Sequence, residues 1–460
     1  MVAASGARVA VNSNVAWHAR SGSTQRAVVQ GEQVVSYSEL DERTAAAAAE
    51  LSARGVVAGS RCALVLEDPF ALLVWLLGCD RLGATGVVVD PGWPAALRSA
   101  ALDLAAPTTL VEAPADPPAV ADVQPVHGDE DSRFLAAFTS GTTGAARAVV
   151  RSRRSWTASF APFSEVTGIG EGAVVLVPGP LHSTLFLFGA LHALAAGATV
   201  LLAPVTTTMS WTAAHLVPAL LADLVREAGL LAGRTVVCAG AALPASLADS
   251  ATARGLRIVE YYGAAELSFV AAGPPGEMGA FPGVEIEVRG EDGRSPRDGP
   301  GQVWVRSRYL SDGYLGGVQG PLVVDGSGFA TVGDIGHLSP AGTLTVLGRG
   351  DGLILSGGVS VLAEDVETAL GGAAGVGQLV VVGMPHARLG QIVTVVVERS
   401  DTTPELAELR ALAAACLAPA QRPRRWWLTP RLPRTSSGKV ARDAVRRGLN
   451  DGSLHVVALR

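Results

Sequence analysis

Short β-branched runs alternate with helical stretches through the first half of the chain. VVLV (174–177), ATVLLAP (198–204), RTVVCAG (234–240) and LRIVEYYG (256–263) carry almost no polar positions. Strands of that kind are buried on both faces, and their alternation with helices predicts a parallel α/β sheet covered by helices on both sides. From Gly279 the pattern changes to short strands separated by Gly, Asp and Pro turns, as in GVEIEVRGEDGRSPRDGPGQVWVRS and GTLTVLGRGDG. That predicts a small antiparallel β subdomain. After Asp351 the pattern predicts a compact α+β unit: a helix over 363–370, strands over 378–382 and 392–398, and a helix over 404–417. The stretch from Leu185 to Val205 is long and uncharged enough to cross a bilayer on length alone. His192 lies within it and Gly189 and Gly197 punctuate it, so it reads as a helix, TLFLFGALHALAAG, followed by a buried strand, and not as a membrane span.

Composition agrees with a large folded chain. Of 460 residues, 48% are hydrophobic and 17% charged, which excludes disorder as the main state. The net charge of −6 supplies no basic field for nucleic acid. Splitting the chain at 350 leaves 23 basic and 32 acidic residues before it and 13 basic and 10 acidic after it, so the C-terminal unit is the basic one. Cys62, Cys79, Cys238 and Cys416 are widely spaced with no CxxC pair, which argues against a zinc site or a disulfide framework and fits a reducing cytoplasm. The N-terminal residues lack a charged segment followed by an apolar run, so no secretory signal is expected. One count stands apart: Lys439 is the only lysine among 36 basic residues.

Phe138 to Val149 reads FTSGTTGAARAV, a strand end running into a turn of small hydroxyl residues and glycines. In such a turn backbone N–H groups and hydroxyls converge on an anion, as a triphosphate requires. It is not GxxxxGK[ST], which excludes a P-loop NTPase. The segment is similar to the phosphate loop TSG[ST]TGxPKG of the adenylate-forming superfamily of acyl-CoA synthetases, amino-acid adenylation domains and luciferases, with Ala146, Arg147 and Ala148 in place of Pro, Lys and Gly. Further segments resemble that superfamily in the same order: YYGAAE (261–266), GQVWVRSRYLSDGYL (301–315), VGDIGHL (332–338), GRGDGLILSGGVSVLAEDVE (348–367) and LPRTSSGKVAR (432–442). VSYSELDERTAAAAAEL (35–51) and GATGVVVDPGWP (83–94) resemble its N-terminal motifs.

The resemblance implies an α/β fold with a large N-terminal AMP-binding domain over 1–350, made of two parallel-type β-sheets with helices plus a small β subdomain. It also implies a small α+β C-terminal lid domain over 351–460 that turns about Asp351. It implies ATP and Mg2+, and nucleotide contacts from Thr139, Ser140, Gly141, Thr142, Thr143, Gly144, Arg147, Tyr262, Gly263, Asp334 and Arg349. Glu266 and Thr142 are then the metal-side residues, Lys439 bridges the carboxylate and the α-phosphate, and Gly357 and Gly358 line a thiol channel.

The resemblance locates the acid pocket at His182, Phe186, Gly240, Ala241 and Tyr261, with His182 beside the substrate. From Gly172 to Ala222 there is no Asp, Glu, Lys or Arg; an ammonium left unpaired there costs several kcal/mol. An aryl or acyl acid without a charged amine is therefore expected. DPGWP, similar to a motif of amino-acid-activating domains, is expected away from this pocket. The leading expectation is an AMP-forming ligase that joins a carboxylic acid to a thiol, on CoA or on the phosphopantetheine of a separate carrier protein, in a monomer or homodimer. The alternatives are an amino-acid-type adenylation enzyme that loads a carrier protein and a non-catalytic adenylate-binding module.

Overall fold

A computed structural model describes residues 11–21, 24–93, 95–112, 129–139, 147–205, 210–227, 231–290, 299–349, 352–356, 359–386, 389–400, 402–417, 421–435 and 438–459. The apolar runs of the first half form the centre of a nine-stranded sheet. From one edge its order is 279–280, 268–273, 257–264, 235–238, 213–216, 174–176, 199–202, 26–30 and 33–36. The strands from 257–264 to 26–30 run parallel, and antiparallel pairs close both edges. A second sheet of five strands has the order 109–111, 61–64, 85–88, 133–139 and 147–152; all but the last are parallel. The expectation of an α/β fold with two parallel-type sheets holds.

The helix Thr184–Ala195 is apolar on every side, as a helix packed within a core must be. It ends before Gly197, and the strand Thr199–Leu202 follows, so the long uncharged stretch divides as expected. Among the described residues no helix is long and apolar enough to cross a membrane. Its C-terminal end is tied to the N-terminal region by the hydroxyl of Tyr37, 3.0 Å from Leu194 O and 2.8 Å from Ala198 O. Tyr37 opens the helix Tyr37–Ala53, which starts on a reciprocal Ser36–Glu39 capping box.

The change of pattern at Gly279 corresponds to a six-stranded antiparallel sheet with the path 323–324, 330–331, 301–307, 334–338 and 344–349, and with 284–289 on 301–307. The C-terminal unit has its own six-stranded sheet and its own apolar clusters. The strand expected over 378–382 extends to His386. Among the described residues it pairs only with the strand 390–398, so Pro385 interrupts no second ladder there and the pairing continues past it.

Candidate active site

The strands Arg133–Thr139 and Arg147–Ser152 are antiparallel neighbours, and Thr139 pairs with Arg147. The candidate phosphate loop therefore leaves and re-enters the second sheet at one point. Ser140, Gly141, Thr142, Thr143 and Gly144 lie outside the described residues, as does the side chain of Thr139. Arg147 is half-buried at the start of the returning strand.

Glu266 stands in the turn between the strands Arg257–Ala264 and Ser268–Gly273 and is 5% exposed. The Tyr314 hydroxyl donates to Glu266 Oε1 at 2.9 Å and accepts from Leu322 N–H at 3.2 Å. Burial, and then the Glu266 charge, push the Tyr314 phenol well above its ordinary range, while the Arg147 charge opposes the shift. Tyr314 thus stays a donor, and Arg147, Tyr314 and Glu266 belong to one electrostatic neighbourhood. Arg151, on the strand that follows the phosphate loop, supports the turn. Its Nη1 donates to Ala265 O at 3.1 Å, and its Nη2 donates to Ser155 O and Tyr309 O, each at 2.6 Å. Burial lowers the Arg151 guanidinium to about 10, with Asp312 and Glu266 opposing, so it remains charged at neutral pH. Ala265 lacks the hydroxyl of the related motifs, yet its carbonyl is held by a buried cation.

On the other side of the turn, the Tyr262 hydroxyl donates to Asp334 Oδ2 at 2.5 Å. Asp334 is buried and pairs in register with Arg349, so these two of the expected nucleotide residues lie opposite each other across one antiparallel pair. The Arg349 side chain, Asp351, Gly357 and Gly358 lie outside the described residues.

The candidate acid pocket gathers where parallel strands end. Gly240 follows the strand Thr235–Cys238, and the point a Cβ on it would occupy lies 3.3 Å from Val217 Cγ1, 3.4 Å from Leu185 Cδ1 and 3.7 Å from Lys439 Cε. The single lysine, carried by the C-terminal unit, thus reaches the end of a strand of the first sheet. Phe186 is buried, Tyr261 is half-buried beside Phe269 with ring centroids 4.7 Å apart, and Ala241 is exposed.

His182 lies in the turn before the helix Thr184–Ala195, its Nε2 3.3 Å from Asp90 Oδ2. Burial lowers the imidazole below its ordinary value, and Asp90 opposes that shift. Asp90 belongs to DPGWP, so the expectation that this motif sits away from the pocket is wrong. Both turns follow strand ends, Val88 in the second sheet and Leu176 in the first, and they meet across the space between the sheets. Asp90 does not reopen an amine-binding site, because its Oδ1 accepts from Gly92 N–H at 2.8 Å while Oδ2 faces His182.

Sequence reasoning also gave no role to Tyr314 or Arg151. Tyr314 lies inside a matched segment, and Arg151 is a charge in the otherwise apolar run AVVRS, a signal that it needs buried partners. Among the described residues no three His, Cys, Asp or Glu side chains gather as a metal cage. A magnesium ion shared between one carboxylate and nucleotide phosphates requires none.

The family model described as AMP-binding enzyme matches residues 15–315, and that described as AMP-binding enzyme C-terminal domain matches residues 365–439. The chain is 29% identical over 443 residues to the uncharacterized acyl-CoA ligase YhfT of Bacillus subtilis (strain 168), covering 85% of this chain and 88% of that protein. It is 28% identical over 477 residues to a feruloyl-CoA synthase of Amycolatopsis sp, covering 93% and 97%. Among solved structures it resembles ATP-bound MatB from Rhodopseudomonas palustris, with a TM-score of 0.85 at 23% identity over 95% of this chain and 99% of that one. A comparable match is the o-succinylbenzoate CoA synthetase MenE from Bacillus subtilis with its acyl-adenylate, with a TM-score of 0.84 at 21% identity over 94% and 97%.

Proposed function

The chain belongs to the AMP-binding enzyme family, and from that premise we propose that it is an AMP-forming ligase that activates a carboxylic acid with ATP and passes the acyl group to the thiol of CoA. A carboxylate oxygen attacks the α-phosphorus, the bond to the bridging oxygen breaks, and pyrophosphate leaves. The thiolate sulfur then attacks the acyl carbon, and AMP leaves. The first step brings two anions together, so fixed positive charge must offset the repulsion in the transition state.

The position of Lys439 carries this reading. Its Cε stands beside Gly240, in the company of Leu185 and Val217. An ammonium there can bridge a carboxylate and a phosphate oxygen, a task for a compact cation and not for a planar guanidinium. Asp334, oriented by Tyr262, is a carboxylate suited to two ribose hydroxyls. Glu266, a hard oxygen donor fixed by Tyr314, fits one protein ligand of a magnesium ion. When bound, that ion neutralises phosphate charge.

The division at about residue 350 and the turning of the C-terminal unit about Asp351 are part of the same proposal. So is a channel for the thiol past Gly357 and Gly358. ATP–pyrophosphate exchange over a panel of acids tests the first half-reaction: ATP binding without exchange for any acid refutes the ligase. Mass detection of acyl-CoA tests the second; product only on a carrier protein's phosphopantetheine refutes CoA as acceptor.

A further inference from the structure

Arg442 ends the segment LPRTSSGKVAR, and Glu364 and Glu367 lie in the last four residues of GRGDGLILSGGVSVLAEDVE, yet the proposed chemistry uses none of them. The fold brings the three together. Glu364 and Glu367 share one face of the helix Ala363–Leu370, a spacing at which two like charges repel. Arg442, which opens the helix Arg442–Asp451, comes between them. Its Nη1 donates to Glu364 Oε1 at 2.7 Å, and its Nη2 donates to both oxygens of Glu367 at 3.0 and 2.9 Å. Glu367 Oε1 also accepts from Val381 N–H at 2.8 Å. One guanidinium fork thus ties the chain just after Lys439 to a helix and, through Glu367, to the strand Gln378–His386. The three side chains are only 22% to 27% exposed, so solvent and salt screen the cluster less than an open surface pair.

Lys439 itself belongs to a segment closed by its own backbone. Thr435 N–H donates to Lys439 O at 2.8 Å, Gly438 N–H to Thr435 O at 2.9 Å, and Ala441 N–H to Pro433 O at 2.8 Å. Arg434 pins one end of this segment, its Nη2 donating to Gln378 Oε1 at 2.7 Å and to Glu398 Oε2 at 3.1 Å. Arg442 pins the other. Gly352, the first residue past the proposed pivot at Asp351, is buried, and a Cβ on it would lie 2.8 Å from Glu364 Oε2 and 3.2 Å from Arg442 Nη1. The ion cluster therefore packs directly on the pivot end of the C-terminal unit. An ammonium on a flexible four-carbon stem is placed only as well as its backbone is held, and slack between pivot and lysine would add to the freedom of the stem.

Resting on the ligase reading, we propose that Arg442 is a positioning residue for adenylation: gripped by Glu364 and Glu367, it holds the Lys439 segment rigid against the pivot end of the C-terminal unit, so that the ammonium meets the reacting oxygens in one geometry. It acts through Lys439 and not on the substrate.

The test is ATP–pyrophosphate exchange by the full chain, with thioester formation from supplied acyl-adenylate measured in parallel. Arg442→Met removes the fork and keeps an unbranched stem. It should lower kcat for exchange about 10²-fold, the scale of a reacting group misplaced by about an ångström, with the KM for ATP and for acid within about twofold and thioester formation retained. Lys439→Ala alone and combined with Arg442→Met should exchange at the same residual rate, because a residue that acts only through another adds nothing once that other is gone. If both half-reactions fall together, or the double variant is slower than Lys439→Ala, Arg442 is structural and the proposal is overturned; near-normal exchange by Arg442→Met overturns it as well. Should Arg442→Met fail to fold, Glu364→Gln decides. Losing that one charged partner while keeping its shape should lower exchange about tenfold with the same lack of additivity, and unchanged or additive exchange overturns the proposal. Absence of exchange by the unaltered chain with every acid overturns the ligase reading itself, a separate outcome.

Discussion

Lys439 is one lysine against 35 arginines, and its Cε lies beside Gly240, where the proposed adenylation would use a compact cation. A guanidinium there has the charge but not the shape, because its donors point in fixed directions and span a wider fork. Lys439→Arg should therefore lower the adenylation rate by about 10² to 10³, the scale of one transition-state electrostatic contact. Measuring pyrophosphate exchange at saturating ATP and acid checks this, and near-normal exchange refutes the bridging role. Thioester formation from supplied acyl-adenylate should survive Lys439→Ala, since in the proposed mechanism the lysine serves the first step alone. Tyr314→Phe removes one donor to Glu266. It should raise the magnesium concentration needed for half-maximal exchange several-fold while leaving acid KM unchanged, a split that a general loss of folding would not produce.

Among the elements, the strand Arg147–Ser152 after the candidate phosphate loop is anchored by its neighbours. Arg153, the first residue of the short helix Arg153–Thr157 that follows that strand, meets Asp80 of the helix Pro69–Arg81 in an ion pair of 2.8 Å whose side chains are 1% and 0% exposed. Asp80 also accepts from Arg153 through its backbone carbonyl at 3.1 Å. Removing one partner of such a pair leaves an uncompensated buried charge. Asp80→Ala should therefore lower the unfolding free energy by about 3–5 kcal/mol, measured by urea denaturation, whereas replacing both residues with apolar ones should cost less.

This pair shows where the reading from sequence stopped. Strands and helices whose apolar period is local, such as 174–176, 199–202, 235–238 and 184–195, were legible because burial on both faces leaves a continuous apolar run. The strand Ala213–Leu216, with His215 inside it, gave no such run and was not foreseen. The motif residues Glu266, Asp334 and Lys439 could be named in advance. Contacts between distant segments (Asp80 with Arg153, Asp90 with His182, Arg151 with Ala265) could not, because sheet order and the packing between sheets set them.

At the scale of the whole molecule, the core between the helix Thr184–Ala195 and the first sheet carries two histidines that respond to acid. His192 and His215 are both buried, and burial lowers them to about 3 and about 4; His215 further lowers His192 through their mutual repulsion. They lie among Phe160, Phe163 and Phe188 in the core that holds the pocket helix to the sheet, and Ser164 lies 2.9 Å from His192 Nε2. In an unfolded chain each titrates near 6.5. Between about pH 6.5 and 4 the unfolded state therefore binds up to two more protons than the folded state. The unfolding free energy rises with pH wherever the unfolded state holds more protons, so the contribution of these histidines is complete above about pH 6.5 and is lost as pH falls towards 4. The expected slope reaches about 1.4 kcal/mol per pH unit for each histidine. Urea midpoints measured from pH 7.5 to 5 at constant salt should fall steadily below 6.5. In His215→Phe the slope should drop by about half, because one of the two proton-binding differences is gone. A flat profile across that range, or an unchanged slope in the variant, would mean that these imidazoles are not kept neutral by the core.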